Sequence, residues 1–279
     1  MFPLEYFNFT ANVKKKGDDV IKHPSSEKPT YYDFVVALYD ANLSYLVKHF
    51  AGASAVNSKF PPRLFIYNKG PYKRSDIAKQ LNGFPFIYTR LENVGRNDHS
   101  YLYHIIKNYD DLSEVTVFFT DSSNQIEIKR QAFERLMSEL NYMNINKNNS
   151  FVCPHARLTN PYFYMDKYKR RSYPQLCNEL VNDPPSYYSC ISSINRLKGD
   201  SEFIKADIRP LKKWKTRYLP EKPLKDTFCA LGIFAAHKSA IRSNPITIYQ
   251  RLIKQLEVGD NVETGHYMER LWYSLLGGT

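Results

Sequence analysis

Carboxylates, amides and cations recur where the short apolar runs of this chain end. "DFVVALYDAN" ends on Tyr39 and Asp40, "RLFIYNKG" on Asn68 and Lys69, and "FPFIYTRLE" on Arg90 and Glu92. "VTVFFTDSSN" ends on Asp121, followed by Ser122 and Ser123. The segment "NVGRNDHSY" adds Gly95 for a tight turn, Arg96 with a fork that matches phosphate or carboxylate, and Asn97 or Asp98 as helix caps. In open α/β sheets ligands sit beyond the carboxyl ends of the strands, so this set predicts a site there. Cations would face phosphate, and acids would face hydroxyls or a divalent metal. The combination suits a phosphorylated ligand that carries sugar hydroxyls.

A nucleotide-sugar donor meets that description. Moving its glycosyl group builds negative charge on the departing pyrophosphate and positive charge at the anomeric carbon. The first needs a metal or basic side chains, and the acceptor hydroxyl needs a carboxylate to take its proton. Tyr39 and Asp40 are expected to hold the nucleoside, and Lys69, Arg96 and Asp121 the pyrophosphate, with or without Mn²⁺ or Mg²⁺. His266 is a candidate second metal ligand, or else a hydrogen-bonding partner for a neighbouring loop. Plainer roles compete at each position. Asp121 could cap the following helix, Arg96 could pair with Glu92 or Asp98, and Glu269 with Arg270 could be a structural ion pair.

The elements that must position these residues follow from periodicity. Apolar runs at 33–39, 63–70, 84–90 and 115–119 read as buried strands, and order returns with "FCALGIFAAH" at 228–237. Between them lie helical patterns, among them Tyr101, Leu102, Ile105, Ile106 and Tyr109, and the amphipathic segment 127–140. Strands alternating with helices predict an α/β fold whose central sheet is mostly parallel and covered on both faces. Residues 1–30 read as an N-terminal arm and 31–279 as one domain. Within it, 141–225 is rich in Pro, Tyr, Asn and Lys, and is expected to be an irregular insertion on the acceptor side. Tyr162 and Tyr164 in "NPYFYMDKY" could then be sugar platforms, or simply packing.

The 279 residues carry a net charge of +11, which draws polyanions of any kind. No nucleic-acid-binding motif accompanies it, so nucleic acid is not the expected partner. Neither G-x-G-x-x-G nor G-x-x-x-x-G-K-[ST] occurs, which removes the dinucleotide fold and the P-loop. The four cysteines, 153, 177, 190 and 229, form no C-x-x-C pair and read as reduced structural thiols. No secretory signal or membrane-length apolar run is evident, so a soluble cytoplasmic protein is expected. Its oligomeric state is not fixed.

"VVALYDANLSYL", "IYNKG", "ENVGRNDHSYLYHIIKNY", "ALGIFAAHKSAIRSNPITIYQRL" and "GHYMERLW" resemble a family of uncharacterised fungal and algal-virus proteins. Its pattern includes Y-N-K-G, N-x-G-R, a late G-[IV]-F-A strand and G-H-Y-x-E-R-L-W. The resemblance spans roughly residues 31–120 and 228–276. The order of elements is also similar to GT-A (Rossmann-like) glycosyltransferases, and in size the chain looks like the sugar transferases large chlorella viruses use for capsid glycans, a xylosyltransferase foremost. The resemblance implies a UDP-sugar donor, a glycan hydroxyl as acceptor and transfer with inversion. It places Asp121 as the acid for metal or nucleotide phosphate, with Ser123 on the donor side where a D-x-D motif has its second aspartate. It further implies Glu263 as catalytic base, Glu269 second, and Gly232 beneath the acceptor. An inactive glycan-binding module and a basic nucleic-acid-binding protein are the rival functions.

Overall fold

The computed structural model describes residues 32–50, 62–142, 150–154, 156–158, 204–225 and 227–277. Its centre is a six-stranded sheet in the order β3-β2-β1-β4-β8-β5. The strands are β1 (Tyr32–Leu38), β2 (Arg63–Asn68), β3 (Ile87–Arg90), β4 (Val115–Thr120), β5 (Phe151–Val152) and β8 (Phe234–His237). β1 pairs in parallel with both β2 and β4, and β2 with β3; β8 runs antiparallel to β4 and β5. β6 (Ala156–Leu158) and β7 (Thr227–Cys229) form a separate antiparallel pair. The mostly parallel α/β sheet expected from the sequence is the one observed.

Side chains alternate across a strand, so a sheet covered on both faces needs apolar residues at nearly every position. Val35, Phe65, Phe118 and Phe234 pack on one face against Tyr101 and Ile105 of α2 (Arg96–Lys107) and Met268 and Trp272 of α7 (Glu263–Leu276). Phe34, Val36, Ile66 and Phe119 pack on the other against Leu46, Phe50, and Ile77 of α1 (Arg74–Gln80). Phe133 and Leu136 of α3 (Glu127–Tyr142) complete that second layer. Further helices are α4 (Leu211–Tyr218), α5 (Lys238–Arg242) and α6 (Ile246–Ile253).

Three expectations change. The run 228–237 is two strands rather than one, because Leu231 (φ 74°) and Gly232 (φ 65°) are left-handed and turn the chain between β7 and β8. The segment 141–225 is not irregular throughout: within it β5 extends the sheet, and α4 buries Trp214 fully against Tyr267. Cys153 and Cys229 are not free thiols but a disulfide, brought together by β5 and β7 from 76 residues apart. Cys177 and Cys190, the arm 1–30 and most of 141–225 lie outside the described residues. No helix among the described residues is long and apolar enough to cross a membrane.

Candidate active site

Because β1 to β4 run parallel, their carboxyl ends share one edge, and β8 starts from the same edge. The chain leaves β1 towards β2 and β3 on one side and returns as β4 on the other, which puts the topological switch point between β1 and β4. Asp121 stands there. Its Oδ2 accepts the backbone N–H groups of Tyr39 (2.8 Å), Asp40 (3.1 Å) and Ala41 (3.1 Å), and its Oδ1 accepts that of Ser122 (2.7 Å). The strand therefore ends on an acid because that acid staples the loop leaving β1. It is buried, and the staple leaves Tyr39 at 45% exposure with Asp40 exposed beside it.

That geometry sets a first expectation. Asp121→Ala would leave four N–H groups without their acceptor, costing about 2–4 kcal/mol in urea denaturation. A loss below about 0.5 kcal/mol would contradict the staple. Ser123, expected on the donor side, is instead fully buried, and its hydroxyl donates to the Thr120 carbonyl at 2.6 Å. A short 3₁₀ turn over Asp121–Asn124 folds it inward. Lys129 reaches back from α3 to the Ser122 hydroxyl at 2.9 Å, a contact with no local signal in the sequence.

The second half of the edge is the turn before α2. Lys69 follows β2 and is buried; its Nζ donates to the carbonyls of Val94 and Arg96. Burial pushes the ammonium down to about 7, against the opposing pull of Asp98. Arg96 Nη1 lies 3.1 Å from Nε2 of His266 on α7. Burial first, then Arg96 and Arg270, hold that imidazole well below its ordinary value, so it is neutral and accepts from the guanidinium. Among the described residues Arg96 forms no ion pair with Glu92 or Asp98, the two acids near it in sequence. Asp98 instead accepts the Trp272 indole N–H at 2.6 Å, and burial pushes its carboxyl up to about 7. No local signal in the sequence marks the pairing of Asp98 with the tryptophan of "GHYMERLW", 174 residues away.

α7 and the β7–β8 turn close the edge. Tyr101 donates to the Gly232 carbonyl at 2.8 Å, and a Cβ on Gly232 would come within 2.5 Å of Asn97 Nδ2. Glu269 Oε1 accepts the Leu231 N–H at 3.0 Å, while Oε2 is 3.2 Å from Arg270. Its side chain is 28% exposed. Both Asp98 and Asp121 raise the Tyr101 hydroxyl after burial does, which ties the two halves of the edge together.

Glu263 is the main correction. It is fully buried, with the Ala206 N–H at 2.9 Å, Arg209 Nε at 2.8 Å and the Tyr267 hydroxyl at 3.0 Å all on its carboxylate. A carboxylate so enclosed ties segment 204–209 to α7 and is not placed to take a proton from an acceptor. The expected metal site is not assembled either. Asp121 is engaged by amides and His266 by Arg96, and no group of three or more His, Cys, Asp or Glu among the described residues could hold a metal ion. Tyr39, Asp40, Lys69, Arg96, Asp121, Gly232 and Glu269 do come to the one edge. Tyr162 and Tyr164 lie outside the described residues.

A model of the family described as "Protein of unknown function (DUF3431)" matches residues 82–279. This match runs through the segment 141–225, which the motif resemblance left out, and starts later than that resemblance. No curated protein matches. Among solved structures, core-mannan synthase A from Aspergillus fumigatus, in its Mn/GDP form, is 11% identical with a TM-score of 0.36, covering 97% of this chain and 76% of that one. At that score the likeness assigns neither activity nor ligand to this chain.

Proposed function

We propose that this chain, which belongs to the DUF3431 family of proteins of unknown function, is a glycosyltransferase that passes a sugar from a nucleoside diphosphate to a glycan hydroxyl. The observation that carries the proposal is the carboxyl edge itself. Arg96, which has no carboxylate partner among the described residues, stands at the same edge as a switch point that presents an exposed aromatic ring.

The roles follow from position. Tyr39 offers its ring to the nucleobase, with Asp40 beside it for ribose hydroxyls. Arg96 takes the diphosphate in a bidentate grip at the start of α2, where the helix dipole also favours negative charge. Glu269 is the base in place of Glu263: it is partly open and pinned by the Leu231 amide. The acceptor lies over the Leu231–Gly232 turn. Its hydroxyl oxygen attacks the anomeric carbon, its proton passes to a Glu269 oxygen, and the sugar–phosphate bond breaks with its electrons leaving on the diphosphate. Attack from the face opposite the leaving group inverts the anomeric centre. The side chains offered as metal ligands do not fit that role, so the charge of the leaving group falls to Arg96 and the helix terminus.

UDP is the donor nucleotide to test first and UDP-xylose the first sugar, following the likeness in size to viral sugar transferases. Calorimetric titration should show saturable UDP binding, and Arg96→Ala should weaken it at least about tenfold, or ~1.4 kcal/mol. No heat with any nucleoside diphosphate would overturn the proposal.

A further inference from the structure

Burying an ammonium is costly unless charge or hydrogen bonds compensate, yet the residue after β2 is a lysine only 7% exposed. Its Nζ is spent on two main-chain carbonyls, those of Val94 and Arg96, the second at 2.5 Å. Asp98 bears on it electrostatically without an ion-pair contact. The two carbonyls bracket Gly95, and Gly95 and Arg96 are consecutive left-handed residues at φ 59° and 55°. For arginine that conformation is uphill and persists only where the surroundings over-determine it.

Three contacts do so. The ammonium draws the carbonyls on either side of Gly95 towards one point. The Gly95 N–H donates to the Gly259 carbonyl at 2.7 Å. Leu256 packs so closely on Gly95 that a Cβ there would lie 2.5 Å from Leu256 Cβ, which confines the turn from that side. The outcome is an Arg96 side chain laid over Gly265, whose own Cβ would be 3.0 Å from Arg96 Cδ, with the guanidinium at His266. His266 is neutral and does not cancel that charge. A buried ammonium thus holds the main chain of a residue whose exposed side chain carries a second cation.

We propose that Lys69 is a positioning residue: it folds the Val94–Arg96 turn into the left-handed form that presents the Arg96 guanidinium to an anionic ligand, and it does not touch that ligand. The anion is the donor diphosphate, and to that extent the inference rests on the function proposed above.

The test combines Lys69→Met with Arg96→Ala, read by UDP titration and by amide hydrogen exchange. Lys69→Met should weaken UDP binding at least tenfold, and the double variant should bind no more weakly than Arg96→Ala alone, because the lysine acts through the arginine. Additive losses would overturn the proposal. Exchange at residues 94–97 should quicken at least tenfold in Lys69→Met while the strands keep their protection; unchanged exchange there would also overturn it. If Lys69→Met does not fold, Lys69→Gln retains a donor for one carbonyl and should show a smaller shift of the same kind. If the native chain binds no UDP, the donor assignment falls and the exchange measurement alone decides the role of Lys69.

Discussion

Glu269→Gln is expected to lower the rate of glycosyl transfer by about 10²–10⁴ while leaving UDP affinity within about twofold, the span that positioned acid–base groups contribute. The amide keeps the shape and the acceptor for the Leu231 N–H, but it cannot take a proton. Initial rates with a UDP-sugar and glycan acceptor, set beside calorimetric affinity, give the two numbers. Glu263→Gln should show the opposite pattern. It leaves the Arg209 guanidinium facing an amide in a buried setting and lowers thermal stability, with the transfer rate of the folded fraction kept. Were Glu263→Gln to abolish turnover without loss of stability, the two acids would have been assigned the wrong way round.

Removing the disulfide with a Cys153→Ser, Cys229→Ser double variant is expected to cost about 4 kcal/mol. The bridge closes a 76-residue separation, and the chain-entropy model gives about 4–5 kcal/mol for a loop of that size, an upper figure because the unfolded chain retains structure. Cys229 ends β7, two residues before the left-handed Leu231 whose amide anchors Glu269. The same variant should therefore lose activity before it loses the fold. Denaturation of the native and double-variant proteins without reductant measures the first effect, and a difference under about 1 kcal/mol contradicts it. Disulfides persist in oxidising surroundings and are rare in a reducing cytosol. This bond does not fit the cytoplasmic setting expected from the sequence, and peptide mapping of the natural protein should show 153 linked to 229.

The strands were legible because a doubly covered parallel sheet forces near-continuous apolar runs, and the residues ending those runs duly share an edge. The late strand was misjudged because "FCALGIFAAH" stays apolar through its turn, and only Gly232 marks the break. β5 has two residues, too few to show any period. The errors at the site have a common cause: an acid next to a helix looks the same whether it is a cap, a base or a staple, and its partners are remote. Asp121 serves amides 80 to 82 residues away, and Glu263 meets Arg209 across 54. Lys69 looked like a phosphate ligand because nothing local reveals carbonyls 25 and 27 residues further on.

A crystal structure with UDP bound tests the central claim most directly. The account predicts the diphosphate within hydrogen-bonding distance of the Arg96 guanidinium, the base against the Tyr39 ring, and the Asp121 carboxylate still holding its amides. UDP lodged away from the carboxyl edge, or an Arg96 guanidinium turned from the phosphates, would contradict it.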